Sequence, residues 1–135
     1  MNKATAWTPV NPEELAPPLG PYAQGSHTAD GWIYTAGLGA VDENKKTMGV
    51  GDVRAQTQEI FRQANAILAA AGGGLDDVVF AHVFLKDFAD YSGMNEVYRE
   101  EFDAAGGRYP PRYCIRADLV LSDMLVEIAF VAKVA

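Results

Sequence analysis

Between Asp52 and Ala71 the apolar positions Val53, Thr57, Ile60, Phe61, Ala64, Ile67, Leu68 and Ala71 recur every three or four residues, which is one stripe of an amphipathic helix. Asp52 is placed to cap its start, and Gly72-Gly73-Gly74 supplies residues that tolerate the positive φ of a helix end. Val78 to Leu85 is a nearly continuous run of β-branched and aromatic residues, which predicts a mid-sheet strand buried on both faces. The helical spacing returns from Asp90 to Ala105 in Tyr91, Met94, Val97, Tyr98 and Phe102. Two further strands are expected at Tyr113–Arg116 and Leu125–Val134, separated by a loop around Leu121-Ser122-Asp123. Near the start, two short strand-like pieces between Tyr22 and Gly37 flank Ala29-Asp30-Gly31, a hairpin turn signal of Asp-Gly type. The Pro-rich stretch Pro9–Pro21 reads as part of an N-terminal arm, residues 1–21 of a single domain spanning 1–135. The expected fold is α+β, a two-layer ββαβαββ sandwich with both helices on one face of a mixed sheet.

Such a sheet keeps one face free of helices. Along the last strand Val126, Ile128, Phe130 and Ala132 alternate with Leu125, Glu127, Ala129 and Val131, so both faces are apolar except at Glu127. A second copy of the chain is the expected cover, in a closed cyclic assembly.

Composition narrows the function classes. The 135 residues carry a net charge of −7, with 11 Lys and Arg against 18 Asp and Glu, a balance that does not draw a protein to nucleic acid or anionic lipid. The longest apolar runs, such as Ile128–Ala132, fall far short of the ~20 residues of a membrane span. The opening MNKATAW has no signal-peptide pattern and Cys114 has no second cysteine to pair with, so a cytoplasmic location is expected. His27 and His82 stand at no metal-ligand spacing, and no metal site is expected; His82, inside its strand, reads as a hydrogen-bonded core residue. There is no GxGxxG, Walker or GxSxG motif, and the glycine run follows a helix instead of opening one.

Four side chains remain that carry chemistry, Arg116 the weakest of them. Glu127 is a carboxylate in an apolar strand; it either meets an arginine or water at an interface or works as an acid or base. Arg112 follows Pro110-Pro111, which fixes where its guanidinium emerges, so it is either a surface charge or a pre-aimed anchor for a carboxylate. Arg116 shares its strand parity. Cys114 is either a small buried hydrophobe or a nucleophile, with no histidine or lysine near it in sequence.

Seven short motifs occur in register: Gly20-Pro21-Tyr22-Ala23-Gln24, Ala36-Gly37, Ala55-Gln56-Thr57, Ala71-Gly72-Gly73, Asn95-Glu96-Val97-Tyr98, Pro111-Arg112-Tyr113-Cys114 and Val126-Glu127-Ile128-Ala129. Together they resemble the RidA/YjgF/UK114 family from about Gly20 to the C-terminus. Tyr113-Cys114-Ile115, Leu119-Val120 and Leu125–Ala129 are most similar to its RutC-like branch of aminoacrylate deaminases. The resemblance implies a chorismate-mutase-like fold and a homotrimer with active sites in the clefts between subunits. It implies cofactor-free hydrolysis of reactive enamines and imines, such as 2- or 3-aminoacrylate, to a keto or aldehyde acid and ammonia.

By the same resemblance Arg112 clamps the substrate carboxylate, Glu127 holds a water near the imine carbon, and Tyr22 closes the cleft. Asn95 stands near the site, the Gly37 backbone lines it, and Cys114 binds ligand mainly through its backbone. Ala36-Gly37-Leu38 replaces the Ser-Gly-Gln of many members, removing a hydroxyl and an amide and making the cleft more apolar. That leaves open a larger, aminomuconate-like substrate, and a trimer that binds small carboxylates without turnover as a sensor or chaperone. The nuclease and translation-inhibitor activities attached to some members are disfavoured by the acidic balance.

Overall fold

The structure is a computed structural model and describes residues 6–135. Helix α1 (Val53–Ala70) begins where the Asp52 carboxylate accepts from the Ala55 N–H at 3.0 Å. It ends in a turn through Gly72 at φ +81°, where the Gly73 N–H reaches back to the Leu68 carbonyl at 2.8 Å. The sequence expectation for this helix thus holds at both ends. Helix α2 (Tyr91–Ala104) packs beside it, and Phe61 of α1 meets Tyr98 and Phe102 of α2 edge-on at 5.6 and 5.7 Å between ring centroids. Each such pair adds about 0.5–1.5 kcal/mol beyond area burial.

Both helices lie on one face of a six-stranded sheet made of β1 (Trp7–Val10), β2 (Gly25–Thr28), β3 (Trp32–Thr35), β4 (Val78–Leu85), β5 (Arg112–Arg116) and β6 (Val126–Lys133). The strand order is β1-β2-β3-β6-β4-β5; β4 and β5 run parallel through the α2 connection and the other pairs are antiparallel. The mixed α+β fold with two helices on one sheet face is as expected, with one addition. Part of the Pro-rich stretch read as an arm contributes β1, paired to β2 with Pro9 opposite Ser26. A proline is tolerated there because β1 is the outermost strand and its missing N–H breaks no ladder.

The core between sheet and helices is built from alternate residues of the inner strands, Ala81, Val83 and Leu85 of β4 and Val126, Ile128, Phe130 and Ala132 of β6, all essentially inaccessible. The opposite face carries Phe80, His82, Phe84, Tyr113 and Ile115, partly or wholly exposed. The expectation that β4 is buried on both faces therefore fails within one chain, because its second apolar row faces outward. His82 is not a core residue; it sits on this open face with Nδ1 2.6 Å from the Tyr113 hydroxyl and its ring 5.0 Å from the Tyr113 ring.

Buried Gln56 of α1 fixes where β6 starts. Its Nε2 donates to the carbonyls of Gly49 and Asp123, each at 3.2 Å, and its Oε1 accepts from the Leu125 N–H at 2.8 Å. One buried amide, with donors and acceptor satisfied, holds the loop immediately ahead of Glu127.

Candidate functional site

Arg112 opens β5 opposite Ala81, a helix-side position, so its side chain runs under α2. Tyr91, Met94, Asn95 and Tyr98, spaced i, i+3, i+4 and i+7 along one stripe of that helix, receive it. Its Nη2 donates to Asn95 Oδ1 at 2.6 Å and to the Tyr91 hydroxyl oxygen at 3.4 Å. Its Nη1 lies 4.0 Å from Met94 Sδ, and its guanidinium carbon stands 4.5 Å over the centre of the Tyr98 ring and 5.8 Å from that of Tyr91. The Tyr98 hydroxyl is buried without a hydrogen-bond partner, and desolvation raises its pKa. Among the described residues no carboxylate lies within ion-pair distance of Arg112. Phe88, Tyr91, Arg112 and Cys114 line an open cleft of about 410 Å³ at this end of the sheet. Burial raises the pKa of the Cys114 thiol, against a smaller opposing pull from Arg112, which does not favour thiolate chemistry.

Glu127 lies on the other face. It pairs with Phe84, three residues along β4 from Ala81, so the pleat sends it away from the helices. Half-buried, with desolvation raising its carboxyl pKa, it faces Tyr22, Ala36, Gly37 and Val120. Gly37 is required by this approach, since a Cβ there would stand 2.5 Å from Glu127 Oε2. Tyr22 is set by a tight turn in which its hydroxyl accepts from the Leu19 N–H at 3.2 Å. The surrounding cleft, about 870 Å³, is walled by Trp7, Leu19, Pro21, Tyr34 and Val120. Leu38 turns into the core, exchanging backbone hydrogen bonds with Ile128, and only its edge reaches the smaller cavity behind Glu127.

One chain thus divides these residues between two separate clefts. Arg112, Asn95 and Cys114 gather on the helix side; Glu127, Tyr22, Ala36 and Gly37 gather on the open side. Arg116, at the exposed end of β5, joins neither. In the sequence Tyr91 and Met94 read only as the apolar stripe of a helix, and Tyr98 as that stripe and the end of the Asn95-Glu96-Val97-Tyr98 motif; the signal that separates them is a polar Asn95 within the stripe. Trp7 and Tyr34, the latter legible in sequence only as a β-former, reach the Glu127 cleft through strand pairing.

Residues 13–134 match the family described as Endoribonuclease L-PSP, to which the RidA and YjgF proteins belong. The chain belongs to this family. Within it, the chain is 45% identical over 125 residues to the 3-aminoacrylate deaminase RutC of Acinetobacter baylyi, covering 93% of this chain and 96% of that protein. The family fold is reproduced in E. coli TdcF with bound serine, at TM-score 0.84 and 27% identity over 95% of this chain and 99% of that one. The YjgF gene product of E. coli gives the same TM-score, identity and coverage. Among the described residues no group of three or more His, Cys, Asp or Glu is placed to hold a metal ion, and no helix is long and apolar enough to cross a membrane.

Proposed function

We propose that this protein is a hydrolytic deaminase of small enamine and imine carboxylates of the aminoacrylate type. The observation that carries the reading is the Arg112 guanidinium, held by α2 at the mouth of a cleft with no carboxylate of the described residues within ion-pair distance. A planar guanidinium lining an open cleft is a receptor for a substrate carboxylate. The kinship with a 3-aminoacrylate deaminase and the serine bound by TdcF both support a small amino-carboxylate ligand.

Arg112 and Glu127 act together only when two copies meet. The apolar open face supports an assembly, a homotrimer as in the expectation above, in which the Glu127 side of one chain covers the Arg112 side of its neighbour. In that composite site Arg112 fixes the acid group, and the enamine, once tautomerised to an imine, exposes a carbon to water. Glu127, whose desolvation raises its proton affinity, takes a proton from the attacking water and returns it to the departing nitrogen. The hydrolysis needs no electron carrier, and the two side chains supply the anchor and the acid/base group.

Ammonia release from enzymatically generated 2- and 3-aminoacrylate, corrected for spontaneous decay, tests this. The wild type accelerates release, Arg112→Ala loses about 10³-fold in kcat/KM, and Glu127→Gln loses about 10²-fold in kcat. A wild-type protein that binds keto acids yet leaves the spontaneous rate unchanged is a carboxylate-binding protein and overturns the deaminase reading.

A further inference from the structure

Tyr91 stands at the first turn of α2, 44% exposed, in the cleft that Arg112 opens. Its phenol oxygen accepts from Arg112 Nη2 at 3.4 Å, so its own O–H is left to donate into the cleft. A carboxylate held by the guanidinium places its oxygens about 2.8 Å from those nitrogens. The carbon bonded to that carboxyl group is then held in the cleft that the Tyr91 side chain lines.

Enamine hydrolysis needs a proton on carbon before water can attack, and neither Arg112 nor Glu127 is free to give it. Arg112 stays charged and Glu127 is engaged with water. Of the remaining groups in the Arg112 cleft, Phe88 has no proton to give and the Cys114 thiol is half-buried. The Tyr98 hydroxyl is sealed under the guanidinium.

We propose that the Tyr91 hydroxyl is the acid that protonates the carboxyl-bearing carbon of the enamine, and that it suits the enzyme to substrates with the amino group one carbon further on, the 3-amino class. The inference rests on the deaminase reading above. In the 3-amino class the carbon that must take the proton is the one bonded to the carboxyl group; in the 2-amino class it lies one bond farther away. The phenol O–H bond breaks and a C–H bond forms, while the nitrogen lone pair becomes the π bond of an iminium ion. Water adds to the iminium carbon, giving its proton to Glu127, which passes it to nitrogen. Ammonia leaves as the carbonyl forms, and the hydroxyl proton released there returns through solvent to the Tyr91 phenolate. Enamine and water are consumed, aldehyde acid and ammonia are produced, and both side chains end as they began. Neighbouring groups support the donor role, since the Asn95 side chain first and Arg112 next hold the phenol pKa below its usual value.

Tyr91→Phe keeps the ring and removes one oxygen. Wild type and variant are supplied with 3-aminoacrylate and, separately, 2-aminoacrylate in D₂O. The aldehyde acid from the 3-amino substrate is trapped by immediate reduction, and the configuration of its CHD carbon is read by NMR of a chiral ester. Pyruvate affinity is measured by calorimetry on both proteins. The expected result is a fall of about 10²-fold in kcat for 3-aminoacrylate, a smaller fall for 2-aminoacrylate, one-faced deuteration lost in the variant, and pyruvate affinity within twofold of wild type. Wild-type turnover by the variant overturns the proposal. So does a loss of rate matched by an equal loss of pyruvate affinity with one-faced deuteration retained, which would make the phenol a support for Arg112. A wild-type protein that does not accelerate ammonia release overturns the deaminase reading and this proposal with it.

Discussion

The helix side and the open side of the sheet are finished to different degrees within one chain. On the helix side a cation is fully furnished, with a carbonyl oxygen at 2.6 Å, a phenol oxygen at 3.4 Å and an aromatic face at 4.5 Å. On the open side a carboxylate is brought among Tyr22, Gly37 and Val120 with its proton affinity raised by desolvation alone. The first arrangement is a cation whose surroundings are prepared in advance, whereas the second is a charge with no compensating partner among the described residues. Preorganisation suits an anchor, which must be rigid before substrate arrives. A group that exchanges protons is better left poorly solvated, because its pKa is then drawn toward the working pH.

The sharpest way to break this comparison is to mix chains. Arg112→Ala and Glu127→Gln, each nearly inactive alone, are refolded together in equal amounts. Random assembly leaves about one site in four with both groups intact, so ammonia release should return to roughly a quarter of the wild-type value. No recovery would mean that both groups act from one chain. Gly37→Ala probes the open side alone: the new Cβ, 2.5 Å from Glu127 Oε2, displaces the carboxylate, and turnover should fall about 10²-fold with unchanged far-ultraviolet circular dichroism. Asn95→Ala probes the helix side; removing one charge-assisted hydrogen bond should weaken keto-acid binding in calorimetry by about tenfold.

The smallest effect concerns stability. Desolvation raises the Glu127 carboxyl pKa in the folded state, so the folded protein holds that proton more tightly than the unfolded chain. Its contribution is present below the ordinary carboxylate range and is lost as pH rises through the raised value. Glu127→Gln should therefore raise Tm at pH 7 by about 1–2 °C, with the difference closing below about pH 4. A lower Tm at pH 7 would show that the neighbouring chain compensates the carboxylate.

The parts of the fold that were legible in the sequence are those governed by local period and capping. Asp52 and Gly72 mark the ends of α1, and Val126 to Ala132 alternate as a strand must. Strand β1 was hidden because Pro9 is a strand breaker everywhere except at an edge, and nothing local says that a segment lies at an edge. His82 has the sequence signature of a core residue because β4 is apolar on both faces, and a two-faced apolar strand looks the same whether its second cover is a helix or another subunit. At the site, Arg112 and Glu127 stood out as charges in costly surroundings. Their division between opposite faces follows from the β4 register, Ala81 to Arg112 and Phe84 to Glu127, which is a long-range property. Tyr91 and Tyr98 were invisible as chemistry because a tyrosine at helical spacing has the same pattern as any core aromatic.

Gln56 ties the placement of Glu127 to the survival of one amide. Its side chain offers two N–H groups to the carbonyls of Gly49 and Asp123 and one oxygen to Leu125, an assignment that only an amide satisfies. Hydrolytic loss of that nitrogen would turn donors into a buried anion facing two carbonyl oxygens, and the segment that delivers Glu127 would come loose from α1. Deamidation at a helix residue remote in sequence would then age the protein by misplacing Glu127, while most of the hydrophobic core stayed in place.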